Sequence, residues 1–169
     1  MPIVASDISF RLSGGSGNTD VNASLGGIKS STAVVDASLH NLFDVVSSVE
    51  SSAGDTEYRC IYIHNGHATL SLQSAKVWIQ TQTPSADTSV EIALAGEGLN
   101  ATAETVANEN TAPVGETFSA PSNEAGGLSL GTIPAGQHYA IWIKRIVNAA
   151  AAAANADSVV IRVKGDTAA

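Results

Sequence analysis

Apolar side chains in this chain recur mostly at every second position, the period of a β-strand with one buried face. In Ile8-Ser9-Phe10-Arg11-Leu12 the three apolar residues share one face and Ser9 and Arg11 the other. A Gly/Ser/Asn/Asp-rich stretch over 13–20 reads as a loop, Gly26-Gly27 as a turn and 28–35 as a second strand. Within 36–49, Leu39, Leu42, Phe43 and Val46 are spaced by three and four, which predicts one or two helical turns. The segment 57–72 predicts a hairpin, with Glu57–His64 and His67–Leu72 as strands and Asn65-Gly66 as a type I′ turn. That register pairs His64 with His67 and Ile61 with Leu70. It makes one face apolar (Ile61, Ile63, Ala68, Leu70, Leu72) and the other wetter (Tyr58, Cys60, Tyr62, His64, His67).

Further strands are predicted over 75–82, with Ala75, Val77 and Ile79 alternating against Trp78, and over 90–94. Leu128-Ser129-Leu130 leads through the turn Pro134-Ala135-Gly136 into a paired strand over 138–147. There Tyr139, Ile141 and Ile143 oppose Ala140, Trp142 and Lys144. A last strand covers 158–164, with Val159, Ile161 and Val163 inward. The alanine run 149–154 is too short for a stable helix and reads as a loop or a closely packed surface. About eight strands at this spacing predict an all-β antiparallel sandwich, a jelly roll first and immunoglobulin-like second. One domain over 1–169 is expected, with a flexible N-terminal arm (1–7) and a long loop region (96–123). Short strands are expected in that region near 105–106 and 117–118. A loop that long in a compact domain usually has a job.

Composition narrows the function. Charged residues are only 14% of the chain, and such a surface repels neighbours weakly, which suits life in an assembly. The net charge of −8, with no basic stripe, argues against nucleic acid and against anionic membranes. No apolar run is long enough to span a bilayer, and the N-terminus has no basic, apolar leader pattern. Cys60 is the single cysteine, so no internal disulfide forms.

Little of the sequence points to chemistry. His64 and His67, paired across the predicted hairpin, supply two metal ligands where a site needs three or four, so no metal is expected. His40 and His138 stand alone, and Cys60 lies mid-strand away from any activating group. No serine sits in a Gly-x-Ser-x-Gly elbow, no phosphate-binding glycine loop is present, and the 13–20 loop lacks calcium-loop spacing. No enzymatic activity and no cofactor are expected. Tyr58, Tyr62, Trp78 and Trp142 fall on the more polar strand faces, where aromatics pack under loops, anchor protein partners or stack on sugars. With Pro2, Ile3 and Val4 of the arm, they are the candidate protein-interface residues.

Three runs carry a resemblance: 7–15 (DISFRLSGG), 54–62 (GDTEYRCIY) and 133–142 (IPAGQHYAIW). Together they resemble small virion structural proteins of tailed bacteriophages, in which β-sandwich members often serve as capsid decoration (cement) proteins. The resemblance implies a protein made in the bacterial host cytoplasm and carried on the outer surface of the head. Its implied partners are the major capsid protein and other copies of itself, as a dimer or trimer. The arm, the 96–123 region and the alanine run are the candidate contact elements. The alternative is a tail, baseplate or fibre-associated protein that meets the host surface through glycans.

Overall fold

A computed structural model of the chain describes residues 2–167. Its regular elements are almost all strands: β1 (Ile8–Leu12), β2 (Gly26–Gly27), β3 (Asp55–Asn65), β4 (Leu72–Thr81), β5 (Thr88–Leu99), β6 (Ala103–Thr105), β7 (Leu128–Ile133), β8 (His138–Val147) and β9 (Val160–Thr167). One short helix, α1 (Ser48–Ala53), precedes β3. A four-stranded sheet in the order β1-β3-β8-β5 faces a three-stranded sheet in the order β7-β4-β9, and β2 pairs with β6. All pairings are antiparallel. The fold is all-β, as the alternation predicts. Lettered A to G in chain order, the seven strands of these two sheets give A-B-F-D in the first, where an immunoglobulin-like sandwich has A-B-E-D. The second sheet departs from that scheme by placing β4 at its centre.

The main core lies between the two larger sheets. Ile61 and Ile63 of β3, Ile92 of β5, and Ile141 and Ile143 of β8 meet Val77 and Ile79 of β4 and Leu130 and Ile133 of β7. A second core covers the other face of the four-stranded sheet. There Cys60, Tyr62, Ala93, Ala95, Ala140 and Trp142 pack under Leu25, Ala103, Val106 and Phe118. The 96–123 region is therefore a third layer and not a free loop. β5 runs on to Leu99, β6 follows, and Ser119 bridges Ile92. Gly26 shows how tightly this layer sits: at φ 94, a Cβ there would lie 1.7 Å from Glu104 O.

The hairpin over 57–72 does not form. A type I′ turn needs positive φ at both central residues, and neither Asn65 nor Gly66 has it. The Asn65 side chain is buried instead, donating to Leu70 O and Ile133 O at 2.9 Å and accepting from His67 N. The chain then crosses to the opposite sheet, so β3 pairs with β1 and β8. Nor is β3 wet on one face: Cys60 to Ile63 are all buried, because each face has a layer above it. β7 and β8 likewise lie in different sheets, although their turn at 134–136 is as expected.

Three smaller expectations also differ. Residues 28–35 form no strand, although Thr32 O accepts from Leu12 N and Val34 N donates to Phe10 O alongside β1. Gly26-Gly27 is a short strand and not a turn. The helix begins at Ser48, beyond the spaced apolar set, where Ser47 and Glu50 form a capping box. Positive φ at Ala37 and His40 breaks the 36–47 stretch into turns. The alanine run is a loop tied to α1, with Ala150 N and Ala151 N donating to Ser52 O and Ser51 O.

Candidate protein-binding surface

Three of the four aromatic residues singled out from sequence are interior. Trp142 is fully buried in the second core. Tyr62 is also fully buried, and its hydroxyl stitches the outer layer to β3. It donates to Gly27 O at 2.5 Å and accepts from Ala103 N at 2.9 Å. Burial pushes this phenol up to about 12. Trp78 is 3% exposed, donates to Gln80 Oε1 and lies beneath the Arg162 guanidinium, 5.9 Å from its ring. None of the three offers an open ring to a partner. Their strand faces read as polar only because the covering layers are distant in sequence. Tyr58 is half-buried and packs edge-on against Phe118.

The N-terminal arm is attached to the body. Ile3 packs against the main core and its N–H donates to Thr167 Oγ1. Asp7 accepts from Val4 N, and Gly66 N donates to Asp7 O. Pro2 and Val4 remain exposed, whereas Met1 lies outside the described residues.

The most exposed aliphatic side chains lie elsewhere. Val35, Leu39, Val45 and Val49 are 65–74% exposed within fifteen residues of chain. Val35 and Leu39 border a groove of about 220 Å³ that Leu12, Val21 and Val34 help to line. Val114, at the tip of the third layer, is 83% exposed. Exposed aliphatic residues gathered on one segment mark a contact surface more often than scattered ones do.

A buried ionic cluster holds this segment in place. Glu57 and Arg145 are cross-strand neighbours on β3 and β8, and Arg145 Nε donates to Glu57 Oε2 at 2.5 Å. Arg145 Nη1 also donates to Asp44 O at 2.7 Å. The fully buried Arg59 pairs with Glu109 and reaches Asn22 Oδ1. Phe43 lies under both guanidinium groups, 4.8 Å from Arg145 and 5.4 Å from Arg59. Burial raises the Glu57 carboxyl, against the pull of Arg145. The carboxylates of Asp44, Glu57 and Glu109 approach one another closely, but Arg59 and Arg145 already occupy them as counter-charges. The segment leading into α1 is thus held at Leu42, Phe43 and Asp44 by packing and charge together.

His64 does not face His67. It stands opposite His138 on β8, while His67 Nδ1 accepts from Thr69 N and Leu70 N to close a local turn. Burial, with Lys29, Arg11 and His138 adding to it, lowers His64 to about 4. Burial and Lys29 lower His138 as well. Both imidazoles are therefore neutral in the folded chain near neutral pH. A base with a depressed folded pKa stabilises the fold above its unfolded value, near 6.5, and that stability is lost as pH falls toward the folded value. The melting temperature is expected to drop by several degrees between roughly pH 7 and 5, above most carboxylate titrations. Thermal denaturation of a His64→Gln/His138→Gln variant checks this, since the slope in that window should flatten. Cys60 is buried with its thiol pushed upward by burial, which makes it a packing residue and a poor nucleophile.

No family model, no curated protein and no solved structure matches this chain.

Proposed function

We propose that this chain is a virion structural protein, a capsid decoration protein that binds the outer surface of a phage head and stabilises contacts between capsomers. The observation that carries the reading is the exposed aliphatic set Val35, Leu39, Val45 and Val49, on a segment tied to the sandwich at Asp44 by Arg145. A surface that is preorganised before binding loses little conformational entropy when it docks. Val4 on the arm and Val114 on the third layer add exposed apolar points, so the arm and the 96–123 region keep a place among the contact elements. Low charge density favours close packing on the major capsid protein, and symmetry repeats each modest contact many times. The reading places the protein on the virion after synthesis in the bacterial host cytoplasm, bound to neither nucleic acid nor membrane. The tail or fibre alternative relied on an aromatic platform for glycans, and Trp78 and Trp142 are covered.

Cryo-electron microscopy of virions whose genome encodes the chain tests this. Density for the sandwich at capsomer junctions is expected, and a Leu39→Asp/Val45→Asp variant should occupy those junctions at a small fraction of the native level. Sandwich density on the tail, or its absence from the particle, overturns the proposal.

A further inference from the structure

β9 is an edge strand, and among the described residues its backbone pairs only with β4. The sandwich's other edges are protected. The 32–34 segment hydrogen-bonds along β1, and Ser119 bridges β5 at Ile92. β7 is broken by a register shift at Gly131, whose φ is 70°. β9 has no such protection. Where its register with β4 shifts, the extra residues belong to β4: Gln73 to Lys76 spans three steps against two from Asp166 to Lys164. β9 itself therefore runs regularly from Val160 to Thr167. A regular strand with an unpaired edge is a template for another strand.

Its side chains are patterned for a specific mate. Ile161 and Val163 turn toward the main core and are only partly buried. Val160, Arg162, Lys164 and Asp166 turn outward and are exposed. Lys164 is already neutralised by both carboxylate oxygens of Glu124, at 2.8 and 2.9 Å. Arg162, Lys164, Asp166 and Glu124 amount to two cations and two carboxylates, a charge-balanced edge on an acidic protein.

We propose that β9 pairs antiparallel with β9 of a second copy about a two-fold axis, joining two three-stranded sheets into one of six strands. Such an axis must set inward positions opposite inward positions, which limits the register to alternate residues. Centred on Lys164, the pairing places Arg162 opposite Asp166 of the second copy, and Asp166 opposite the other Arg162. Val163 falls opposite Gly165, which has no side chain to oppose it. Lys164 falls opposite the second Lys164, each ion-paired with its own Glu124. The register centred on Val163 sets Arg162 against Lys164 and leaves Asp166 opposite Val160, and the one centred on Gly165 gives Asp166 a lysine that Glu124 already neutralises and leaves Arg162 without a carboxylate. The self-pairing requires neither a head nor a tail location and stands apart from the decoration reading.

Sedimentation velocity of the full chain across a concentration series tests it. A reversible monomer–dimer equilibrium is expected. The Asp166 carboxylate makes no hydrogen bond or ion pair among the described residues, so Asp166→Arg should fold normally, which a thermal melt verifies. It should raise the dimer dissociation constant about tenfold by setting arginine against arginine at two places. The exchange Arg162→Asp/Asp166→Arg should restore dimerisation, because each opposite pair is rebuilt. A chain that stays monomeric throughout, or a dimer insensitive to Asp166→Arg, overturns the proposal. So does a dimer weakened by Asp166→Arg that the double exchange fails to recover.

Discussion

Replacing Trp142 with alanine is expected to cost about 3–5 kcal/mol of folding stability, read from urea denaturation. The size follows from its surroundings. Trp142 is fully buried in the second core, where Ala93, Ala95, Ala103 and Ala140 are among its neighbours. Alanines have no side chain to swing into a void, so the cavity stays open and the loss sits near the top of the range. The indole Nε1 has no hydrogen-bond partner among the described residues, so the substitution strands no polar group and the cost is one of volume. Trp142→Phe should therefore recover much of the loss, leaving about 1–2 kcal/mol. A loss below about 1 kcal/mol for the alanine variant would mean that the third layer is not closely packed on the sheet.

The strands easiest to read from sequence are those whose outer residues are truly polar. β1 and β9 carry such residues, Arg11 on β1 and Arg162 and Lys164 on β9; β1 matches its expected bounds, and β9, expected over 158–164, runs over Val160–Thr167. β8 also matches its bounds, although Ala140 and Trp142 on its second face are buried. β3 was harder. Cys60, Tyr62 and His64 tolerate water, and alternation reports what a side chain can tolerate, not what lies above it. The layer above comes from residues 25 and 103–118, too distant in sequence for any local pattern to place. Asn65-Gly66 misled for a related reason. Asn in that pair favours a tight turn locally, but its buried side chain donates two hydrogen bonds and accepts one, which fixes it in an extended crossing. One missed signal was local: Ser47-x-x-Glu50 is a readable capping box and marks the true helix start. As for the site, the 96–123 region was legible as more than a spacer. The exposed set at Val35, Leu39, Val45 and Val49 was not, because half of the same stretch, including Leu42 and Phe43, is spaced to pack inward.

Arg145→Met is expected to destabilise the chain by about 3–5 kcal/mol at neutral pH. Methionine keeps most of the aliphatic volume, so the loss reports charge and hydrogen bonding more than packing. Without Arg145, Glu57 is left 1% exposed with its principal counter-charge gone, and Asp44 O loses a 2.7 Å donor. Burial already raises Glu57 and Arg145 opposes that rise, so its removal lets the folded-state carboxyl climb further. The sign of the pH effect follows. A carboxyl whose folded pKa exceeds its unfolded value contributes stability at low pH and loses it as pH rises through the folded value. The deficit of Arg145→Met relative to the native chain should therefore shrink as pH falls from about 7 to 5, and Glu57→Gln in the same background should remove most of that pH dependence. Urea denaturation at the two pH values measures both. Protease sensitivity of the 36–47 segment should rise in parallel, because Asp44 is tied to the sandwich through this guanidinium. A pH-independent deficit would show that Glu57 is not the group left uncompensated. An unchanged cleavage rate at 36–47 would show that packing of Leu42 and Phe43, and not the ionic cluster, fixes the aliphatic surface on which the binding role rests.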